Sequence, residues 1–273
     1  MAAALLMKTA STPAILSLAQ MSWPDVKAAL PTVEVAVLPT GSTEQHGPAL
    51  ALITDTAIAA GLAERVAARL YPRTLLLPPL PVGVSPHHMS FPGTLTLTAD
   101  TFQNLVFEVV QSLQAHGLKQ VLIVNGHGGN QASLNIVATR VRHTLKMKIA
   151  VMFWLDLVDD VIRQHVTSEH YGHACEVETS LAWFLNPELV QEQSLAAGQM
   201  TAYAAKYTDR RLRSDFGVPF RWEELTSNGA VGDARKASVD FGAILCDAIL
   251  ERTVAFLEDF VAEPTKGTSH PVA

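Results

Sequence analysis

The sequence predicts an α/β protein, in which a parallel or mixed sheet is covered by helices on both faces. The first observation is the type of strand: continuous apolar, β-branched runs are typical of strands buried on both faces, and they lie at residues 33–38, 73–77, 120–124 and 148–153. The second is their alternation with helical patterns at residues 55–70, 98–116 and 131–145. Connections of that length favour parallel crossovers, which place helices on both faces of one sheet.

The chain is predicted to form one domain. With 273 residues, 48% of them hydrophobic, it can bury a full core. A linker rich in Pro, Gly and Ser is absent from the sequence, so we assign residues 22–261 to a single domain. Residues 1–21 are predicted to be a ragged N-terminus, and residues 262–273 a disordered tail.

Composition narrows the class of protein. The net charge is −6 and no run of Lys or Arg occurs, which argues against a nucleic-acid partner. The longest apolar runs are strand-sized, too short for a membrane span. Only two cysteines are present, so no disulfide framework is predicted and a reducing compartment is the default. These observations favour a soluble, cytoplasmic globular protein.

The first polar cluster follows the strand at 33–38. Glu44, His46 and Asp55 lie within twelve residues of one another, just beyond its carboxyl end. Carboxylate oxygens and imidazole nitrogens are ligands that Zn²⁺, Mn²⁺ or Fe²⁺ accept. The alternative is a polar loop with a turn aspartate.

The second polar cluster follows the strand at 120–124. His127 lies within Asn-Gly-His-Gly-Gly-Asn, at residues 125–130, where glycines permit close approach of the backbone to a ligand. Since sites in open α/β sheets form beyond the carboxyl ends of the strands, this histidine strengthens the metal hypothesis. An anion-binding loop at a helix N-terminus is the alternative.

The third cluster contains His173, Glu176 and Glu178. In a regular helix His173 and Glu176 share a face, whereas Glu176 and Glu178 point roughly 200° apart. Both glutamates therefore reach one site only if the helix begins after Glu176. With apolar residues beside them a buried site is favoured over a solvated helix face.

These clusters together resemble the creatininase (creatinine amidohydrolase) family. The matching segments are Gly-Ser-Thr-Glu-Gln-His-Gly-Pro at 41–48, Phe-Pro-Gly-Thr at 91–94, the glycine-rich segment at 125–130, and His-Ala-x-Glu-x-Glu-Thr-Ser at 173–180. The resemblance covers about residues 30–250. It implies a three-layer α/β/α sandwich with a mostly parallel central sheet, two divalent metal ions per chain (Zn, Mn or Fe), and a homohexamer.

Carried over to this sequence, the resemblance implies that Glu44 and His127 hold one metal, that His46 holds the other, and that Asp55 bridges them. Creatininase itself has a metal-binding glutamate two residues after the matching histidine, where this chain has Gly129. We therefore expect Glu176 to complete the second site, with Glu178 as the open alternative. With a glycine at this position, the sequence resembles the branch of the family that includes formamide deformylases and mycofactocin-precursor peptidases.

The predicted activity is hydrolysis of a non-peptide C–N bond, in a cyclic amide, an amidine or a formamide, by a hydroxide that bridges the two metals. His173 is the candidate for proton transfer to the leaving nitrogen, and Ser85 and His88 are candidates for substrate contacts. Cys175 is rejected as a nucleophile because neighbouring acidic residues raise its pKa. The alternatives are a metallopeptidase of the mycofactocin-precursor type and a non-enzymatic anion-binding module.

Overall fold

A sheet of parallel strands forms the centre of the computed structural model, which describes residues 14–202 and 219–263. Its spatial order is β1-β3-β2-β4-β5, and each neighbouring pair is parallel. The strands are β1 (Leu16–Ser17), β2 (Val35–Thr40), β3 (Thr74–Leu76), β4 (Gln120–Asn125) and β5 (Lys148–Phe153). The predicted parallel sheet is confirmed.

Helices cover both faces of this sheet. They are α1 (Trp23–Ala29), α2 (Thr54–Arg69), α3 (Ala99–Ala115), α4 (Gln131–Thr144), α5 (Trp154–Leu157), α6 (Asp159–His165), α7 (Glu176–Leu185), α8 (Trp222–Leu225) and α9 (Val239–Ala262). The side chain of Thr98 accepts a hydrogen bond from the Thr101 amide and so caps α3, which is why that helix begins where the sequence predicts.

Two separate cores explain the three layers. Along β2, Val35 and Val37 pack into a core shared with α2, α7 and α9, whereas Ala36 and Leu38 pack into a core shared with α3 and α4. Successive side chains of a strand point to opposite faces, so a strand that is apolar throughout needs a helical layer on each side. The three-layer α/β/α sandwich is confirmed.

The N-terminal stretch is more ordered than the sequence predicts. Leu16 and Ser17, within the stretch predicted to be ragged, form β1 and pair with Leu75 and Leu76 of β3. At the other end α9 continues to Ala262. The rest of the predicted N-terminal and C-terminal segments lies outside the described residues. Within the described ranges, every helix is too short or too polar to cross a membrane.

The order of the strands places a crevice between β2 and β4. From β2 the chain passes through α2 to β3 on one side, whereas β4 leads through α4 to β5 on the other. Ligand sites in such sheets lie at this reversal, beyond the carboxyl ends of the strands. The two ends are level, since Thr40 pairs with Asn125 and the Gly126 amide donates to the Thr40 carbonyl at 2.8 Å.

Candidate metal centre

Four predicted ligands meet in this crevice. Glu44 and His46 lie in the loop after β2, Asp55 lies in the first turn of α2, and His127 follows β4. Each of the four side chains is almost completely buried. Charged groups are seldom buried without partners, so their convergence indicates a shared ligand.

Two groups of ligand atoms share Asp55. In the first, His127 Nδ1 lies 3.3 Å from Glu44 Oε1 and 3.1 Å from Asp55 Oδ2. In the second, His46 Nε2 lies 3.0 Å from Asp55 Oδ1 and 3.7 Å from Glu178 Oε1. Since each oxygen of Asp55 faces a different histidine, this carboxylate is placed between two three-residue groups.

The donor set fits divalent cations. Within the described part of the chain, the buried Glu44 Oε2 accepts no hydrogen bond. A buried carboxylate oxygen without a partner costs free energy, which a coordinated cation offsets. Three carboxylates and two imidazoles are ligands typical of Zn²⁺, Mn²⁺ or Fe²⁺. A third group, formed by Glu44, His46 and His173, also has its ligand atoms close together.

The structure separates Glu176 from Glu178. The carboxylate of Glu176 accepts hydrogen bonds at 2.8–3.1 Å from the amides of Thr167 and Ser168 and from the Thr167 hydroxyl. Among the described residues it joins neither group of ligand atoms. Helix α7 begins at Glu176 rather than after it, so the two side chains diverge and Glu178 faces His46. The expectation for Glu176 is therefore corrected, and Glu178 takes its place as candidate ligand.

The electrostatics of the cluster favour bound positive charge. Burial lowers the pKa of His127, but the carboxylates of Glu44 and Asp55 outweigh it and raise that pKa to about 10. Burial likewise opposes protonation of His46, yet Asp55 and Glu178 hold its pKa well above the usual range. Both carboxylates of the first group have lowered pKa values despite their burial, because of the adjacent histidines.

Ser85 lies behind His127 rather than in the cavity. It is fully buried, with its hydroxyl 3.1 Å from His127 Nε2 and 2.6 Å from the Ser42 hydroxyl. Metal-binding histidines usually have a hydrogen-bonding partner on the other ring nitrogen, which fixes the orientation of the ring. The predicted substrate contact of Ser85 is thus replaced by a contact with a candidate ligand.

Two glycines are required by close approach. A Cβ on Gly126 would lie 2.1 Å from the Asp55 carbonyl oxygen. A Cβ on Gly129 would lie 2.4 Å from His127 Nε2 and 2.9 Å from His87 Cε1. His87 therefore occupies the space beside His127. A larger residue at position 129 requires the displacement of His87.

A cavity of about 390 Å³ opens on the cluster. His173, the candidate for proton transfer, lines it, and so does His88, which is buried and 3.2 Å from Glu44 Oε1. Sequence reasoning missed Trp222, whose ring stacks on His88 with centroids 4.3 Å apart. Trp222 comes from a region without a recognisable pattern, and its proximity depends on tertiary folding. The other walls of the cavity include Phe153, Phe220 and the backbone of Gly128 and Gly129.

Two alternative chemistries fit poorly. Burial, with Glu178 nearby, raises the pKa of the Cys175 thiol to about 11, so this cysteine is a poor nucleophile. The loop around His127 faces the carboxylates of Glu44 and Asp55, which repel an anion. These carboxylates disfavour the anion-binding alternative.

The fold and the buried cluster define a metal-dependent hydrolase built on an α/β/α sandwich. Residues 19–257 match the family model named Creatininase, described as creatinine amidohydrolase. The chain belongs to the creatininase family, whose members are metal-dependent hydrolases.

Individual relatives agree with this assignment. A mycofactocin precursor peptide peptidase of Mycolicibacterium smegmatis is 31% identical over 214 residues, which cover 77% of this chain and 78% of that protein. One from Mycobacterium ulcerans is 34% identical over 175 residues, 62% of this chain and 65% of the relative. The solved structure of a Bacteroides fragilis protein, assigned as a creatinine amidohydrolase, is 26% identical with a TM-score of 0.78, covering 93% of this chain and 98% of its own.

Proposed function

We propose that this chain is a two-metal amidohydrolase that cleaves an amide-type C–N bond. The observation that carries the proposal is the pair of buried three-residue groups sharing Asp55. Glu44 and His127 would hold one ion and His46 and Glu178 the other, and Asp55 would belong to both groups. When bound, the two cations lower the pKa of water towards neutrality and polarise the carbonyl oxygen of a substrate.

His173 transfers protons in this proposal. Its Nε2 lies 2.7 Å from the Gln45 carbonyl oxygen, which can only accept, so the proton is on Nε2 and the lone pair on Nδ1. Burial, with His46 nearby, lowers the pKa of His173, which keeps the ring neutral at neutral pH. A neutral imidazole lining the cavity can accept a proton and then deliver it to the leaving nitrogen.

The preferred substrate is a compact, non-peptide molecule: a cyclic amide, an amidine or a formamide. The cavity at the cluster is of small-ligand size, and aromatic rings form part of its wall. His87 narrows it beside His127, where burial and the neighbouring histidine lower the pKa of His87 to about 4. The ring of His87 is thus neutral and leaves the cavity without a cation on that side.

A peptide substrate is the second candidate, favoured by a specific observation. A further cavity of about 450 Å³, lined by Pro86, His87, Pro219, Phe220 and Arg221, shares His87 and Phe220 with the first. The two cavities are therefore adjacent, and the second would give a peptide end room beyond the cluster. The mycobacterial relatives, named as peptidases, support this candidate.

A substrate panel decides between the two candidates. Metal-loaded protein is incubated with lactams, cyclic amidines, formamides and short peptides, and the released amine is measured by mass spectrometry. Turnover of the first three classes alone supports the preferred substrate, and turnover of peptides alone supports the second. Glu44→Gln, which removes a ligand charge at nearly constant volume, is the control for metal-dependent cleavage.

Metal analysis tests the function itself. Purified protein dialysed against Mn²⁺ or Zn²⁺ is expected to retain about two ions per chain. Less than one ion per chain, with no response to added metal, contradicts the proposal. Assembly as a homohexamer and a cytoplasmic location remain predictions from resemblance and composition, and sedimentation of the purified protein tests the first.

A further inference from the structure

Gln45 is buried between the candidate ligands Glu44 and His46, and its side-chain amide has a defined orientation. The Gly47 amide donates to Gln45 Oε1 at 3.0 Å, and Gln45 Nε2 donates to the Gly229 carbonyl oxygen at 3.1 Å. These two backbone groups identify the oxygen and nitrogen ends of the amide, since an N–H cannot accept and a carbonyl cannot donate.

The second N–H of the Gln45 amide determines the tautomer of His88. Gln45 Nε2 lies 3.0 Å from His88 Nδ1. Gln45 Nε2 also lies 3.1 Å from His173 Nε2, but that nitrogen carries the proton donated to the Gln45 carbonyl oxygen at 2.7 Å and cannot accept a second one. The second N–H is therefore donated to His88 Nδ1, and the ring proton of His88 lies on Nε2. His88 Nε2 is 3.2 Å from Glu44 Oε1, so the ring proton lies beside that carboxylate oxygen. His88 thus links Gln45 to Glu44.

The two carboxylate oxygens of Glu44 have different surroundings. Oε1 lies 3.2 Å from His88 Nε2 and 3.3 Å from His127 Nδ1, whereas Oε2 lacks a hydrogen-bonding partner among the described residues. An N–H group held beside one oxygen favours one rotamer of the carboxylate and leaves the other oxygen available to a cation.

The segment carrying Trp222 and Gly229 holds Gln45 in place. Trp222 Nε1 also donates to the Gly229 carbonyl oxygen, at 2.7 Å, and its ring stacks on His88. Gly229 has a φ of +85°, and a Cβ there would lie 1.9 Å from Gln45 Oε1. The glycine therefore permits both the left-handed turn and the contact.

We propose that Gln45 is a positioning residue, which holds His88 as the Nε2–H tautomer so that His88 orients Glu44 towards the metal. The proposal rests on the proposed function only in taking Glu44 as a metal ligand. In this proposal Gln45 acts through His88 and not by contact with the substrate or the metal.

The tautomer can be measured without a substrate. In Zn²⁺-loaded protein labelled with ¹⁵N-histidine, His88 is assigned by the loss of its signals in His88→Asn. We expect Nδ1 to show the shift of an unprotonated ring nitrogen and Nε2 that of a protonated one. A protonated Nδ1 in the unmodified protein overturns the proposal, whether or not any variant folds.

Gln45→Glu tests the cause. The introduced carboxylate cannot donate to His88 Nδ1, so we expect Nδ1 to become protonated and Zn²⁺ affinity, measured by chelator competition, to fall about 10–100-fold. Gln114→Glu is the matched control, since the Gln114 amide also donates to a backbone carbonyl, that of Leu145 at 2.7 Å, but on α3. It should change neither measurement.

An unchanged His88 tautomer in Gln45→Glu contradicts the proposal. Failure of the proposed function is distinguishable: the protein then binds no Zn²⁺, while the tautomer of His88 in metal-free protein still reports the contact with Gln45.

Discussion

Glu176 and Glu178 lie two residues apart in the first turn of α7, both buried, yet they belong to different regions of the molecule. Both carboxylate oxygens of Glu176 accept hydrogen bonds from Thr167 and Ser168. Glu178 accepts from the Ala174 amide at 2.6 Å through Oε2, and its Oε1 faces His46. One carboxylate is used for local structure, and the other is directed to the candidate metal centre.

The difference shows that burial and charge alone do not identify a ligand. A carboxylate with several donors is already satisfied, so binding a cation through it would cost those hydrogen bonds. A carboxylate that faces an imidazole and another carboxylate is repelled by the second negative charge, and a proton on the imidazole competes with a cation for the same position. A bound cation removes the repulsion. What decides between the two is the set of groups around each oxygen.

The largest expected effect comes from removing the residue shared by both groups. Asp55→Ala should release both metal ions, because each group keeps only two of its three ligands. Loss of the metals removes several kcal/mol of transition-state stabilisation, so activity should fall at least about 1,000-fold. Metal content measured by mass spectrometry checks this, with circular dichroism as the control for folding. Retention of two ions contradicts the assignment of Asp55 as the bridge.

The two glutamates themselves give the next effect. Glu178→Gln should lose about one of the two ions, from the site of His46, and keep the fold. Glu176→Gln should keep both ions but lower the free energy of unfolding by about 1–3 kcal/mol, because hydrogen bonds to a charged acceptor are weakened.

Metal analysis and urea unfolding are measured on both variants, so each serves as the control for the other. Loss of metal in Glu176→Gln alone would reverse the assignment made from the geometry.

Much of this arrangement is predictable from sequence. The strand-end positions of Glu44 and His127 follow from apolar runs that stop where polar residues begin, and parallel strands bring such ends together. The choice between Glu176 and Glu178 is different. Helical periodicity predicts that they diverge, but the rotation of α7 is set by Val177 and Leu181 packing in the core.

Other features depend on contacts distant in sequence. Ser85 is an ordinary residue type for a loop. Only folding brings its hydroxyl behind His127, which lies 42 residues further along the chain. Trp222 stacks on His88 across an even longer separation. A single sequence contains no local signal for either contact, since both join residues distant along the chain.

Acidification should weaken metal binding at the cluster. The pKa of His127 is raised to about 10 and that of His46 well above its usual range, so protons compete with the cation for both rings at neutral pH. Affinity should therefore rise with pH, by up to about tenfold per histidine for each pH unit over which its ring is protonated. Chelator competition from pH 6 to pH 9 measures this slope, and a flat profile argues against imidazole ligands.

The smallest of these effects concerns the hydrogen bond behind His127. Ser85→Ala removes the hydroxyl that lies 3.1 Å from His127 Nε2 but leaves the Val84 carbonyl oxygen, 3.2 Å from the same nitrogen, as an alternative partner. Loss of a partner of this kind typically costs 10–100-fold in metal affinity, and the remaining carbonyl places the expected loss near about tenfold. Thr96→Val, which removes the hydroxyl bound by the Ser85 amide at 2.8 Å, is the control for loop placement. If Ser85→Ala instead changes substrate KM with metal affinity intact, Ser85 contacts substrate as the sequence first suggested.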